Sequence, residues 1–149
     1  EADGEIQRGV QEALAVLGAG RSVVLHTGRG PEDPRIGLTA DRLRARGFEA
    51  EDLGLRSATI LGEALGRILR TVLEETGLPR AATTGGDTSF YMARSLGIEA
   101  LEVVAPMAPG SPLCRIHTQG TRLHGREIVF KGGQVGTDDF FDRVLKGKG

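Results

Sequence analysis

The sequence predicts an α/β fold: a single three-layer-like domain with a mixed, largely parallel sheet flanked by helices. Short apolar runs typical of buried strands alternate with amphipathic segments of helical period along the 149 residues. Glycine-rich turns separate these segments, and glycine accounts for 23 residues. The length fits one domain with its own core, and no internal repeat or linker divides it.

Helical patterns dominate the N-terminal half. The predicted elements are a helix over 6–17, a buried strand over 21–27, a loop over 28–35, a polar helix over 39–46 and a long helix over 60–73. The last is the strongest signal, because its apolar side chains fall on one side at helical spacing. Gly62 and Gly66 lie at the edge of this stripe, where a neighbouring backbone could approach closely. We therefore expect this helix to lie in the core.

Strands and helices alternate in the C-terminal half. The predicted elements are a strand over 80–84, a helix over 88–96, a strand over 100–105, a proline-punctuated loop over 106–112, an edge strand with a turn over 115–125, a strand over 127–130 and a helix over 137–145. The last helix is expected to present Phe140, Phe141, Val144 and Leu145 as its apolar face. This alternation predicts a largely parallel or mixed sheet.

Two glycine-centred segments carry the strongest functional signal, and each follows a predicted strand and precedes a helical pattern. They are Thr84-Gly85-Gly86-Asp87-Thr88 and Lys131-Gly132-Gly133-Gln134-Val135-Gly136. Such turns aim several backbone N–H groups at one point, which suits a phosphate. The predicted nucleotide-binding residues are Gly85, Gly86, Asp87, Thr88, Lys131, Gly132, Gly133 and Gly136. Two such turns favour a nucleotide site at one edge of the sheet.

Asp87 is the candidate catalytic residue, because a carboxylate there could orient Mg²⁺ or accept a proton from a substrate hydroxyl. The alternative is an ordinary strand-to-helix turn in which Asp87 or Thr88 caps the helix. Thr137 could similarly cap the last helix. Asp138 and Asp139 are expected in the first turn of that helix, where they would repel a phosphate, so any phosphate should be offset from the helix axis.

Other site classes lack a matching pattern. No G-x-x-x-x-G-K-[ST] sequence occurs, and Gly18-Ala19-Gly20 precedes a predicted strand, whereas a dinucleotide fingerprint would follow one. The spacing of Cys114, His117 and His124 matches no standard zinc pattern, so we predict no metal held by the protein alone. The loop over 109–112 has an open backbone that could pack on a purine, although such loops are usually only connections.

Composition narrows the class of protein further. Nineteen Lys and Arg residues against twenty Asp and Glu give a net charge of −1, which argues against a nucleic-acid partner. The single cysteine favours a reducing compartment, so we expect a cytoplasmic protein without a membrane segment. The chain starts at Glu1, within a helical pattern, which suggests a piece of a longer protein.

Three stretches together resemble one known family: TGGDTSFYMARSLGIEALEV from Thr84, APGSPLCR from Ala108 and EIVFKGGQVGTDDFF from Glu127. They are similar to the C-terminal nucleotide-binding domain of the four-carbon acid sugar kinases, which act on threonate, erythronate and related oxo-acids. The resemblance implies that residues 1–149 bind ATP with Mg²⁺, with the first turn lining the phosphates. It also implies that an N-terminal domain, absent from this chain, holds most of the sugar acid.

The expected function is therefore ATP binding within a kinase that phosphorylates a sugar-acid hydroxyl, with the isolated chain inactive. One alternative is a non-catalytic module that senses a nucleotide or anion, which should work as an isolated chain. Another is an enzyme that uses the turns for a phosphorylated substrate and prefers a phosphosugar to ATP. A surface exposed by the missing domain could also drive formation of a homo-oligomer.

Overall fold

One four-stranded sheet organises the protein, whose residues 2–147 are described by a computed structural model. The helices are α1 (Ala2–Gly18), α2 (Pro34–Ala45), α3 (Leu53–Glu75), α4 (Gly86–Leu96) and α5 (Phe140–Lys146), with one 3-10 turn (Ala50–Asp52) before α3. The strands are β1 (Arg80–Thr84), β2 (Ala100–Ala108), β3 (Ser111–His117) and β4 (Glu127–Lys131). Their spatial order is β1-β4-β3-β2. The predicted class, a mixed α/β sheet flanked by helices, is confirmed.

The sheet combines one parallel pair with two antiparallel pairs. β1 pairs with β4 in parallel, whereas β3 runs antiparallel to both β4 and β2. The fraction of strand pairs that are parallel is thus smaller than predicted, because β2 and β3 form an antiparallel hairpin with its turn at Pro109 and Gly110. The prediction of a loop over 106–112 is wrong for the same reason, because most residues of this segment belong to β2 or β3. Pro106 is tolerated because β2 is an edge strand, where a missing N–H costs no ladder bond.

Opposite faces of the sheet carry different helices. On β4, Ile128 packs in a cluster with Leu73 of α3 and Leu96 of α4. Its neighbour Val129 packs against Phe140 of α5, because successive strand residues point to opposite faces. The result is a three-layer arrangement in which β4 lies in the middle. β3, predicted as an edge strand, is also interior, because β2 covers its outer side.

Helix α3 packs on α4 through glycine. A Cβ atom on Gly62 would lie 2.7 Å from Cβ of Tyr91 and 2.8 Å from the carbonyl oxygen of Thr88. A Cβ atom on Gly66 would lie 2.6 Å from Cβ of Ser95. All three distances are shorter than the contacts that real Cβ atoms make, so only glycine permits this backbone approach. The predicted close approach at these two positions is confirmed.

The last helix buries a narrower face than predicted. Phe140 and Val144 are buried, but Phe141 and Leu145 are 51% and 68% exposed. Residues four apart share one side of a helix, and the short α5 touches the sheet along that single line. The helix also begins at Phe140, three residues later than predicted, and ends before Gly147, whose backbone is left-handed.

The predicted strand over 21–27 is wrong. Among the described residues this segment pairs with no other strand, and Val24 is 70% exposed. A strand needs a partner, so apolar β-branched residues alone did not suffice.

The predicted start of the second helix is wrong too. Asp33 caps α2 by accepting a hydrogen bond from the amide of Arg35 at 2.9 Å, and Pro34 occupies the first turn.

Within residues 2–147, no helix has the length and apolar character needed to cross a bilayer.

Candidate functional site

Both glycine turns lie at the same edge of the sheet and contact each other. β1 and β4 run in parallel with Thr84 opposite Lys131, so both strands end at one place. The amide of Gly85 donates a hydrogen bond to the carbonyl oxygen of Lys131, with a donor–acceptor distance of 2.9 Å. A Cβ atom on Gly133 would lie 3.9 Å from Cα of Gly85. The structure thus brings together two turns that are separated by more than forty residues in the sequence.

The first glycine turn opens helix α4 without a side-chain cap. Gly85 is the N-cap residue with φ 115°, a conformation that side-chain-bearing residues rarely adopt. Its carbonyl oxygen accepts a hydrogen bond from the amide of Ser89, with a donor–acceptor distance of 3.0 Å, and this bond is the first of the helix. The amides of Gly86, Asp87 and Thr88 precede the first intrahelical donor and have no helical acceptor. Asp87 and Thr88 therefore lie inside the first turn, so their alternative role as N-cap residues is wrong.

A cavity of about 210 Å³ lies between this turn and the end of β4. Its lining consists of Gly85, Gly86, Ser89, Phe90, Ala93, Phe130, Lys131 and Gly132. The hydroxyl of Ser89 accepts a hydrogen bond from Thr83 at 3.0 Å, which fixes α4 on β1 beneath the turn. Free amides at one end and aromatic walls beside them can hold an anion attached to a less polar group.

Ser89, Phe90, Ala93 and Phe130 are site residues that the sequence analysis missed. The signal was available for three of them: Ser89, Phe90 and Ala93 follow Gly86 at three, four and seven positions, one stripe along a helix. Phe90 is 58% exposed, which is unusual for a large aromatic side chain unless it faces a groove or a partner.

The second glycine loop is organised around Lys131. Its ammonium donates to the carbonyl oxygens of Gly132 and Gly133 at 2.9 and 3.3 Å and lies 5.6 Å from the centre of the Phe140 ring. Because Phe140 belongs to α5, the lysine side chain lies on the α5 face of the sheet. Gly136 closes the loop with φ 99°, against the Lys131 and Phe140 side chains. The loop therefore carries a fixed positive charge.

Two acidic residues precede α5. Asp139 occupies the N-cap position but makes no capping bond, and the hydroxyl of Thr137 donates to its carboxylate. This hydrogen bond holds the pKa of Asp139 below its usual range. The predictions that Thr137 caps this helix and that Asp138 and Asp139 form its first turn are both wrong. The negative charge at this point still disfavours a phosphate there, whereas the first turn of α4 has no such charge pair.

Asp87 is exposed at the mouth of the first turn. No hydrogen bond or ion pair holds its carboxylate among residues 2–147. A carboxylate next to unpaired amides can bind a cation or accept a proton from a molecule bound between them. Its neighbour Gly86 is also exposed, and no atom lies within 4 Å of where its Cβ would be.

The histidines and the cysteine lie away from this edge. His117 is the last residue of β3 and lies at the end of the sheet opposite to the glycine turns, where its Nε2 is 3.0 Å from the carboxylate of Glu102. Its ring meets the ring of His124 edge to face, with 5.5 Å between centroids. Cys114 is buried within β3, and burial raises the pKa of its thiol. These side chains serve packing and surface pairing, and none lines the glycine turns.

Comparison with known proteins places this geometry in context. Residues 1–141 match the family described as "Nucleotide-binding C-terminal domain". The chain is 40% identical over 144 residues to a 3-oxo-isoapionate kinase of Paraburkholderia graminis, and 28% identical over 138 residues to a D-threonate kinase of Salmonella typhimurium. These alignments cover 97% and 92% of the chain but 30% of each relative. The chain therefore spans less than a third of the length of these curated relatives.

A solved structure has the same fold. The crystal structure of a Haemophilus influenzae protein from a family of unknown function superposes with a TM-score of 0.62 at 19% identity. The match covers 95% of this chain and 30% of that protein.

Proposed function

The chain belongs to the nucleotide-binding C-terminal domain family of the four-carbon acid sugar kinases, and from that premise we propose that it is the ATP-binding part of such a kinase. The full-length enzyme would transfer the γ-phosphate of ATP to a hydroxyl of a sugar acid. Three relatives named for kinases of 3-oxo-isoapionate, 3-oxo-tetronate and D-threonate support this reaction class.

One observation carries the proposal: two glycine turns meet at the carboxyl end of a parallel strand pair, and the first turn has unpaired amides. The bond between Gly85 and Lys131 holds the turns together. In open α/β sheets, ligands bind outside the carboxyl ends of parallel strands. The N–H groups of Gly86, Asp87 and Thr88 would bind the β- and γ-phosphates, and Gly132, Gly133 and Gly136 would contact the nucleotide through their backbone.

Phosphoryl transfer depends on positioning and charge neutralisation, with little covalent chemistry for the protein to perform. The fixed charge of Lys131, held on the loop carbonyls, would offset the negative charge of the polyphosphate. The exposed carboxylate of Asp87 would orient a metal ion or accept the proton of the attacking hydroxyl.

The residues at the first turn fit Mg²⁺ bound together with ATP. This ion usually binds proteins through one or two carboxylates and takes its other ligands from phosphate and water. Asp87 supplies one such carboxylate without a competing ion pair among the described residues. When bound, Mg²⁺ would neutralise phosphate charge that the single lysine leaves uncompensated.

The sugar acid would be held mainly by the part of the full-length protein that this chain does not include. The relatives extend well beyond the aligned region, which supports an enzyme with a further part in addition to this domain. The chain by itself should therefore bind ATP without turning it over.

Calorimetric titration with MgATP, ADP, GTP and inorganic phosphate tests the proposal. We expect saturable binding that prefers adenine nucleotides and weakens in Gly86→Val and Gly133→Val. Both positions suit the test, because neither has a left-handed backbone and an added Cβ would meet no atom closer than 3.9 Å. A loss of affinity would therefore report on the site, with the fold unchanged.

Gly77→Val provides the matched control. Gly77 precedes β1 at the other end of the strand, and no atom lies within 4 Å of where its Cβ would be. This variant should bind MgATP like the wild type. If all three variants bind equally well, or if inorganic phosphate competes fully with ATP at equal concentration, the glycine turns do not form a nucleotide site.

A further inference from the structure

A second cavity opens at the same sheet edge, on the opposite face. It has a volume of about 390 Å³ and lies between the end of β2 and the start of α5. Its walls are Pro106, Met107, Ala108, Pro109, Gly136, Thr137 and Arg143. β3 runs antiparallel to β4, so the hairpin at residues 109–110 lies beside the carboxyl end of β4. The cavity is therefore a neighbour of the glycine turns.

The second glycine loop separates the two cavities. Lys131 and Gly132, at its beginning, line the cavity next to α4, whereas Gly136, at its end, lines the cavity next to α5. A ligand that touched both cavities would cross this loop over the end of β4. A nucleotide with its phosphates at the first turn of α4 and its base beyond Gly136 would lie across the loop in this way.

The walls of the second cavity suit a flat, weakly polar ring. Two prolines and an alanine give it an apolar surface, and Met107 behind them is buried in the core cluster that includes Phe140 and Val144. An arginine guanidinium stacks on the faces of aromatic rings. Arg143 is half-buried at the wall and forms no salt bridge among residues 2–147.

The wall that the hairpin contributes is an irregular part of the strand pair. The β2–β3 register is irregular between Ala105 and Ala108, so Pro106 and Met107 have no opposite residue in β3. Backbone polar groups of such a segment would be suited to fix the orientation of a base in an otherwise apolar pocket. A phosphate fits this cavity poorly, because its walls are apolar and the charged Asp139 lies two residues beyond Thr137.

We propose that this cavity binds the purine ring of the nucleotide, stacked on Arg143 against the apolar wall of the β2–β3 hairpin. The inference rests on the proposed function, since it assigns the base of the nucleotide whose phosphates lie at α4.

Methyl labelling of methionine offers a direct test, because the chain has two methionines. Met107 lines the cavity, whereas Met92 is buried along α4 and lines neither cavity. In protein labelled with ¹³C at the methionine methyl groups, MgATP should shift the Met107 resonance through the ring current of the base. Inorganic tripolyphosphate should leave it in place. Met92→Leu assigns the two signals.

Two variants complete the test. Arg143→Ala removes the stacking group, and Thr137→Trp fills the cavity from an exposed position. Arg143→Ala should weaken MgATP binding about tenfold, as loss of a desolvated cation–π contact predicts. Thr137→Trp should weaken it by steric exclusion of the base, and both variants should retain tripolyphosphate binding. Arg42→Ala, an exposed arginine on α2, should change neither.

The two proposals fail in distinguishable ways. If MgATP binds and Gly86→Val weakens it, but the Met107 resonance and both variants are unaffected, the base lies elsewhere and only this inference is overturned. Equal losses of MgATP and tripolyphosphate affinity in Arg143→Ala would also overturn it, because Arg143 would then act on phosphate. Absence of any MgATP binding to the wild type would overturn both proposals.

Discussion

Replacing Gly66 with alanine should destabilise the protein, although alanine is the better helix former. The new Cβ would lie 2.6 Å from Cβ of Ser95 and 3.0 Å from Cα of Met92. The first distance is about 0.8 Å short of the 3.4 Å at which ordinary contacts begin, and its partners belong to the body of α4. Overpacking of this kind costs about 1–3 kcal/mol, and the gain in helix propensity offsets about 1 kcal/mol. We expect a net loss of up to about 2 kcal/mol.

Urea denaturation measures this loss, with Gly37→Ala as the control. Gly37 lies inside α2, and no atom lies within 4 Å of where its Cβ would be, so this variant should gain up to about 1 kcal/mol. The two variants thus differ in sign. If Gly66→Ala is stabilised as much as Gly37→Ala, α3 and α4 are not in backbone contact and the packing argument is refuted.

Gly62→Ala extends the same reasoning to the site. Its Cβ would press on the carbonyl oxygen and Cα of Thr88, within the first turn of α4. We therefore expect a stability loss similar to that of Gly66→Ala, accompanied by weaker MgATP binding that Gly66→Ala does not show. Equal nucleotide affinity in the two variants would mean that the first turn does not hold the phosphates.

Three further predictions concern single side chains. Arg80→Ala should cost about 2 kcal/mol in urea denaturation, because Arg80 pairs with Glu127 on β4 and donates to the final turn of α5; an unchanged midpoint would contradict this. The pKa of Glu102 is lowered, chiefly by its hydrogen bond to His117, so its stabilising effect is present above the ordinary carboxyl pKa and is lost as the pH falls through the lowered value. Glu102→Gln should therefore flatten the fall in melting temperature between about pH 5 and 3, and parallel curves would exclude this pairing. In a full-length kinase carrying this domain, Asp87→Asn should lower kcat by about 100-fold or more with little change in ATP affinity, whereas equal losses would assign Asp87 a binding role.

Elements with local signals were predictable from the sequence. The run at residues 80–84 was assigned to the strand that forms, and Gly97 ends α4 where predicted, in a left-handed conformation. The apolar stripe of α3 and the close approach at Gly62 and Gly66 were also predictable, because helical period and missing side chains are visible in a single segment. The start of α2 could have been found from Asp33-Pro34, a cap followed by a proline suited to a first turn.

The site residues show the same contrast between features with a local signal and features that depend on the fold. The sequence singled out both glycine turns, because each combines a strand end, glycines and a helix start. It did not reveal that Gly85 bonds to Lys131, that the ammonium of Lys131 lies on the α5 face, or that the hairpin near Pro109 adds a second cavity. These facts depend on strand order, which brings residues 85, 109 and 133 to one edge.

The α/β class, most helices and the two glycine turns can be read from the chain alone, since they follow from local periodicity and backbone preference. The pairing of the strands emerges only in the folded protein, and with it the antiparallel hairpin, the interior position of β3 and the unpaired segment over 21–27. The physical reason is that a strand is stabilised by a partner distant in the chain, whereas a helix forms its hydrogen bonds within itself.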